Sequence, residues 1–130
     1  TGNPDGHIVL RGGSKGPNFE SEHVKRISSE LQQCNLPHKV MIDCSHGNSN
    51  KDFRKQSEVL KNIASQISNG EKNILGVMLE SHLKEGNQKL LKKEDLEFGR
   101  SITDACICWD ETKELLLNLS QSVKQRREIG

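Results

Sequence analysis

Residues 40–48 read VMIDCSHGN, an apolar run that ends in a polar cluster centred on His46. Adjacent Val, Met and Ile residues favour a short strand buried on both faces, as strands of parallel sheets are. Catalytic barrels built on parallel strands carry their functional groups at the carboxyl ends of those strands. This stretch therefore predicts a parallel sheet with a functional site at one end.

Three further apolar runs have the same character. They are HIVLRGG (7–13), NILGVMLESH (73–82) and SITDACICW (101–109). Each is short, nearly unbroken and rich in Ile, Val or Leu, so the sequence predicts four strands.

Helical patterns follow three of the four runs. Apolar residues recur at intervals of three and four within residues 18–36, 57–70 and 110–127, which is the spacing of amphipathic helices. The polar connection 83–100 carries two glycines, and we expect a loop with a short helix at most. Strands that alternate with helices imply right-handed parallel crossovers. Doubly wound sheets and (β/α) barrels both fit, although no GxGxxG motif follows the first run.

Bulk composition restricts the classes of partner. The 130 residues suffice for one modest domain, and the chain starts at Thr1 without Met, so we expect it to be a piece of something longer. With 19 basic and 18 acidic residues the net charge is +1, which argues against a nucleic-acid partner. No stretch approaches the roughly 18 apolar residues of a membrane span, so we expect no membrane partner.

The cysteines favour a reducing compartment. The four cysteines lack CxxC spacing, and three of them lie in apolar runs, as buried reduced thiols do. Cytoplasmic localisation is therefore predicted rather than a disulfide framework. A metal clip formed by Cys106 and Cys108 is the alternative.

Four polar residues lie at the predicted strand ends: Arg11, His46, Glu80 and Asp104. They are separated by 35, 34 and 24 residues, each close to the length of one βα unit. In a parallel barrel they would converge on one mouth. Strand alternation predicts that His46 shares its face with Val40, Ile42 and Cys44.

These residue types indicate metal-assisted chemistry on an anionic substrate. His, Glu and Asp form a ligand set that suits Mn²⁺, Fe²⁺, Co²⁺ or Zn²⁺. The Arg11 guanidinium suits a phosphate or carboxylate, and Gly12 and Gly13 are expected to let backbone N–H groups approach an anion. Each residue also has a purely structural alternative: a core histidine, a loop cap at Asp104, or an Arg11 pair with Asp43 or Asp104.

Four segments resemble one enzyme family. GNPDGHIVLRGG, MIDCSHGNSNKDFRKQ, GVMLESHLKEGNQ and SITDACICW are similar, in this order, to motifs of the type I 3-deoxy-D-arabino-heptulosonate 7-phosphate (DAHP) synthases in their microbial and fungal form. This resemblance implies condensation of phosphoenolpyruvate with erythrose 4-phosphate, the first step of the shikimate pathway to aromatic amino acids. It also implies that His46, Glu80 and Asp104 bind a divalent metal and act in catalysis, and that Arg11 binds the phosphoenolpyruvate phosphate.

The resemblance further implies an architecture. Residues 1–130 would be a single partial domain, the C-terminal half of a TIM (β/α)8 barrel comprising its last four βα units. Family members are more than twice as long, and neither their KPRTS segment nor their N-terminal cysteine ligand is present. We therefore expect weak or no activity from the chain alone, and a homo-oligomer as its assembly. A sister phosphoenolpyruvate–aldose phosphate synthase and a non-catalytic truncated fragment that binds metal or a partner chain are the alternatives.

Overall fold

Three of the four apolar runs form strands of one parallel sheet in the computed structural model, which describes residues 2–130. The strands are β1 (Ile8–Leu10), β2 (Val40–Asp43) and β3 (Ile74–Met78). Their order in the sheet is β1-β2-β3, and both neighbouring pairs are parallel. The predicted parallel α/β architecture is confirmed.

The three predicted helices are α1 (Ser21–Gln33), α2 (Gln56–Ser68) and α3 (Trp109–Ile129). One-turn 3₁₀ helices at Phe53–Lys55 and Lys93–Asp95 complete the secondary structure, the second inside the predicted loop. Each strand lies beside its neighbour in sequence, so right-handed crossovers leave α1 and α2 on the same side of the sheet. The strand order contains no reversal of the kind that defines doubly wound sheets.

The core lies between this side of the sheet and the helices. Val40, Ile42 and Cys44 are fully buried and belong to one apolar cluster with residues such as Leu60 and Ile63 of α2. The stripe predicted for 57–70 thus packs as expected, and α2 also contacts α3. None of the helices within residues 2–130 is long and apolar enough to cross a membrane.

The prediction of a fourth strand at 101–109 is wrong. Within residues 2–130, Ile107 is the one residue of this run that pairs with the segment directly after β3, through a parallel bridge to Ser81, and Trp109 already begins α3. Residues 101–106 instead pair with the preceding loop, where Gly86 and Cys106 exchange backbone hydrogen bonds of 2.8 and 3.2 Å. The bonded backbone groups of Ser101 and Cys106 are therefore not available for a regular sheet ladder.

Cys34 and Cys44 differ strongly in exposure, so we expect them to react with a thiol reagent at very different rates. All four cysteines are free, with Cys34 exposed and Cys44 fully buried. Burial, reinforced by the negative charge of Asp43, raises the pKa of Cys44 from 9.0 to about 12. At pH 8 we expect iodoacetamide to modify Cys34 on the order of a thousand times faster than Cys44, because reaction at Cys44 requires opening of the core.

Mass spectrometry of timed samples measures both rates, and a sample in concentrated urea provides the control in which the rates converge. The pKa of Cys44 is higher in the folded chain than in the unfolded chain, so the protonated thiol stabilises the fold. This stabilisation is complete below pH 9 and is lost as the pH rises towards 12. Equal labelling rates in the folded chain would contradict the burial of Cys44.

Candidate functional site

A pocket of about 370 Å³ opens at the carboxyl ends of the strands. It contains all four residues that the sequence indicated. The lining residues are Arg11, Ser45, His46, Lys51, Phe53, Glu80, Asp104 and Ala105. The structure therefore brings Arg11, His46, Glu80 and Asp104 to one mouth.

His46, Glu80 and Asp104 are spaced as ligands of one cation. Each offers one ligand atom, and the three atoms all lie within 4.8 Å of one another. The distance between His46 Nε2 and Glu80 Oε1 is 3.8 Å. One nitrogen and two carboxylate oxygens at this separation fit a first-row divalent metal in both geometry and donor chemistry.

Asp43 orients the His46 imidazole. Its carboxylate is 2% exposed and places Oδ2 2.8 Å from His46 Nδ1, while Oδ1 accepts the Ser45 backbone N–H at 2.8 Å. A carboxylate beside Nδ1 favours the tautomer with the proton on Nδ1, which we assign here. The unprotonated Nε2 then faces Glu80 and can bind a metal.

Glu80 is held through both its side chain and its backbone. The Ser45 hydroxyl donates to Glu80 Oε2. The fully buried Gln56 side chain accepts the Glu80 N–H at 2.8 Å and donates to the Glu80 carbonyl at 3.1 Å. Ile107 N–H donates to the same carbonyl at 3.0 Å. Ser45, Gln56 and Ile107, which lie in three separate segments of the chain, thus fix the position of Glu80.

Asp104 is the most exposed of the three candidate ligands. Its segment is tied to the preceding loop by the Gly86–Cys106 bridge and by the Asn87 amide, which donates to the Thr103 carbonyl at 2.8 Å. Burial raises the pKa of the nearby Cys106 thiol, and the charge of Glu80 raises it further. Within residues 2–130 neither Cys106 nor Cys108 belongs to a group of three or more residues spaced for a metal.

Arg11 lies on the rim of the pocket. Its side chain is 59% exposed, and its Nε is 3.9 Å from Asp43 Oδ2, at the outer limit of an ion pair. The two groups do not form a hydrogen bond at this distance, and the exposed guanidinium is available to an anion. The alternative, in which Arg11 serves only to pair with Asp43, therefore corresponds to a long and weak ion pair.

Gly12 serves close packing, and the backbone N–H groups of Gly12 and Gly13 are both already bonded within the protein. Gly12 N–H donates to Asn18 Oδ1 at 2.7 Å, and Gly13 N–H donates to the Gly16 carbonyl at 3.0 Å, so the expectation of free N–H groups is wrong. A Cβ at Gly12, where φ is +74°, would lie 2.5 Å from the Gly47 carbonyl carbon. The loops after β1 and β2 thus touch backbone to backbone.

Asn48 joins the same two strand ends. Its buried amide donates to the carbonyls of Leu10 at 3.0 Å and Asp43 at 2.8 Å, and its oxygen accepts the Asn18 N–H at 2.8 Å. These three bonds satisfy backbone groups where the sheet ladder has ended. Arg11 and His46, which follow β1 and β2, are positioned by this connection.

The strand alternation predicted for His46 is wrong, whereas Glu80 continues the alternation of β3. Val77 and Leu79 pack on the core, leaving Glu80 on the opposite face. At β2, however, the ladder ends at Asp43, and His46 adopts a left-handed φ of 46°. His46 therefore does not share a face with Val40, Ile42 and Cys44.

Several residues that line the pocket or lie behind it were not predicted as site residues. Asp43 was considered only as a partner of Arg11, and Ser45, Lys51 and Phe53 were not considered. An acid inside an apolar run was a usable signal for Asp43, since a buried carboxylate requires partners. The type and spacing of Lys51 carry no such signal.

A larger groove of about 770 Å³ lies between the start of α1 and the end of α2. Glu20, Glu22 and His23 cluster beside it, but both carboxylates are exposed. Exposed acidic groups often cluster without binding an ion. We therefore assign function to the smaller pocket, where oriented groups converge.

Comparison with known proteins gives one consistent family. The model of the DAHP synthetase I family matches residues 1–117. A Phe-sensitive phospho-2-dehydro-3-deoxyheptonate aldolase of Escherichia coli is 53% identical over 127 residues, covering 98% of this chain and 36% of that protein. A tyrosine-inhibited aldolase of the same name from Schizosaccharomyces pombe is 49% identical, covering 98% of this chain and 35% of that protein.

The solved structure of phospho-2-dehydro-3-deoxyheptonate aldolase from Francisella tularensis has the same fold in this region. It matches with a TM-score of 0.91 and 48% identity, over 96% of this chain and 36% of that one. The present chain therefore spans about a third of the length of these relatives.

Proposed function

Because this chain belongs to the DAHP synthetase I family, we propose that it is the C-terminal part of a DAHP synthase and carries most of its metal site. The reaction is the condensation of phosphoenolpyruvate with erythrose 4-phosphate, the first step of the shikimate pathway to aromatic amino acids. One geometric fact supports this most strongly: a His, Glu and Asp spaced for one cation lie in the same pocket as an exposed arginine.

Each side chain has a defined role in this proposal. His46 Nε2, Glu80 and Asp104 hold the metal, with Asp43 and Ser45 orienting the first two. The bound metal supplies Lewis-acid polarisation of the aldehyde of the sugar phosphate. Arg11 binds the phosphoenolpyruvate phosphate through charge-assisted hydrogen bonds. The donor set suits Mn²⁺, Fe²⁺, Co²⁺ and Zn²⁺ alike.

We propose that residues 1–130 are a single partial domain, the last four βα units of a TIM barrel. The unreversed parallel strand order and the match to about a third of a longer relative support this. The fourth unit contributes only the bridge at Ile107 in place of a full strand. β1 and the Ile107 segment then form open edges that need partners. The rest of the barrel, or a second copy in a homo-oligomer, supplies them.

We assign the enzyme to the cytoplasm. All four cysteines are free, and Cys44 and Cys106 are buried as reduced thiols. Proteins of oxidising compartments more often pair their cysteines.

A chimera tests the proposed reaction. Residues 1–130 replace the matching 36% of the Phe-sensitive E. coli relative, to which they are 53% identical. We expect the chimera to consume phosphoenolpyruvate only with erythrose 4-phosphate, to lose this activity on chelation, and to regain it with Mn²⁺. The 130-residue chain alone is expected to show weak or no turnover, because it lacks the KPRTS segment and the N-terminal cysteine ligand of the family.

The unmodified E. coli relative, assayed in parallel, is the positive control. A folded chimera that is inert beside an active control would refute the DAHP synthase assignment and favour a non-catalytic fragment. Preference for a different aldose phosphate would favour a sister synthase.

A further inference from the structure

Asp104 differs from the other two candidate ligands in how its side chain is held. Asp43 orients the imidazole of His46, and Ser45 donates a hydrogen bond to Glu80. The Asp104 carboxylate is exposed, and within residues 2–130 it makes neither a hydrogen bond nor an ion pair. Metal ligands are normally oriented by partners outside the site. The orientation of Asp104 must therefore come from its backbone.

The backbone around Asp104 forms an arch, residues 101–106, with both ends fixed to the preceding loop. At one end the Ser101 carbonyl accepts the Gln88 N–H at 2.8 Å. At the other end Cys106 and Gly86 exchange the two hydrogen bonds described above. Asp104 lies between these ends. Fixed ends alone leave the middle of the arch free to change its backbone conformation.

The Asn87 side chain contacts the middle of the arch. Asn87 lies between Gly86 and Gln88, so backbone hydrogen bonds hold it on both sides. Its amide nitrogen donates to the Thr103 carbonyl at 2.8 Å. That carbonyl belongs to the planar peptide unit that ends at the Asp104 nitrogen. The hydrogen bond therefore fixes the peptide plane from which the Asp104 residue projects.

The remaining contacts of the middle of the arch lie inside the arch itself. Ser101 Oγ accepts the Thr103 N–H at 3.1 Å, and Cys106 Sγ lies 3.5 Å from the Asp104 carbonyl oxygen. A thiol is a weak donor. Among the described residues, the Asn87 bond is the hydrogen bond that joins residues 102–105 to a segment outside the arch.

We propose that Asn87 is a positioning residue that sets the third proposed metal ligand, Asp104, by holding the Thr103 carbonyl. This inference rests on the proposed function. Asn87 does not line the pocket, so it acts through Asp104 rather than on the metal or the substrate. The side chain is exposed, and its replacement should change metal binding far more than folding.

Asn87→Ala in the chimera tests this role. We expect its Mn²⁺ affinity, measured by competition with a fluorescent chelator, to fall about tenfold, as on loss of other partners that support a metal ligand. The melting temperature of the metal-free chimera should change by less than about 2 °C. Asn69→Ala is the matched control, because Asn69 is also exposed and donates one amide hydrogen bond, to Ser65 after the last turn of α2. It should bind Mn²⁺ as the parent does.

Asn87→Asp separates the hydrogen bond from a simple effect of charge. Aspartate has nearly the size of asparagine, but at neutral pH it has no donor and carries a negative charge. A negative charge acting directly on the bound cation would raise the Mn²⁺ affinity. Loss of the bond to the Thr103 carbonyl should instead lower the affinity, by at least about tenfold. A higher affinity in Asn87→Asp would overturn the inference.

A double-mutant cycle with Asp104→Ala shows whether Asn87 acts through Asp104. Adding Asn87→Ala to Asp104→Ala should cause no further loss of Mn²⁺ affinity, because the ligand that Asn87 positions is already absent. The same tenfold loss in both backgrounds would overturn the inference. If the parent chimera is active and Asn87→Ala binds Mn²⁺ as the parent does, the inference fails and the proposed function stands. A folded parent chimera that does not bind Mn²⁺ would overturn both.

Discussion

Replacing His46 by asparagine is expected to lower the Mn²⁺ affinity of the chimera by at least about a hundredfold. Residues that only support metal ligands already cost about 10- to 100-fold when removed, so loss of a ligand atom should cost no less. Asparagine can keep the hydrogen bond to Asp43, because its amide nitrogen occupies nearly the position of Nδ1, and it tolerates the φ of 46°. Only the Nε2 donor is lost.

Competition between Mn²⁺ and a fluorescent chelator measures this affinity. His7→Ala is the matched control, because His7 is exposed and precedes β1, at the opposite end of the sheet from the pocket. Its metal affinity should equal that of the parent. Equal affinities for His46→Asn and the parent would remove His46 from the metal site, whatever family the chain belongs to.

Replacing Gly12 by alanine is expected to lower the free energy of unfolding by about 2–4 kcal/mol. The new Cβ would lie 2.5 Å from the Gly47 carbonyl carbon and 2.7 Å from the Asn48 nitrogen, at a φ of +74°. Both neighbours are backbone atoms, and the Asn48 amide holds them against the ends of β1 and β2. The strand ends must therefore separate, which also moves Arg11 away from His46.

Urea denaturation followed by circular dichroism measures this loss. Gly13→Ala is the control, since nothing lies within 4 Å of its Cβ position and its φ is not positive. We expect that variant to match the parent within about 0.5 kcal/mol. A Gly12→Ala chain as stable as the Gly13→Ala chain would show that the two loops do not pack as described.

The sheet and its helices could be predicted from sequence because burial on both faces and helical periodicity are local signals. The fourth strand could not, because SITDACICW matches the other runs in composition but pairs with residues 86–88. That pairing depends on a long loop folding back, which no periodicity encodes. The turn at His46 was missed for a similar reason: the pattern of a strand does not indicate where its ladder ends.

At the site, chain position and residue type were enough to predict that four residues lie at one mouth: Arg11, His46, Glu80 and Asp104. The residues that orient them were mostly missed. Ser45 and Gln56 are ordinary polar residues whose roles arise from distant partners, so their spacing carries no information. Sequence reasoning identified the groups that would contact a ligand and missed most of those that hold them.

The Gln56 side chain has a consequence for how this site can change. It donates to and accepts from the Glu80 backbone as an adjacent strand would, yet it belongs to the first turn of α2. Elsewhere in the sheet such hydrogen bonds join two backbones and do not depend on side-chain identity. Here they depend on one side chain, and therefore on one codon. The position of Glu80 can consequently be adjusted by single nucleotide changes at a residue that does not line the pocket. Such a position offers an accessible evolutionary route for tuning the proposed metal site.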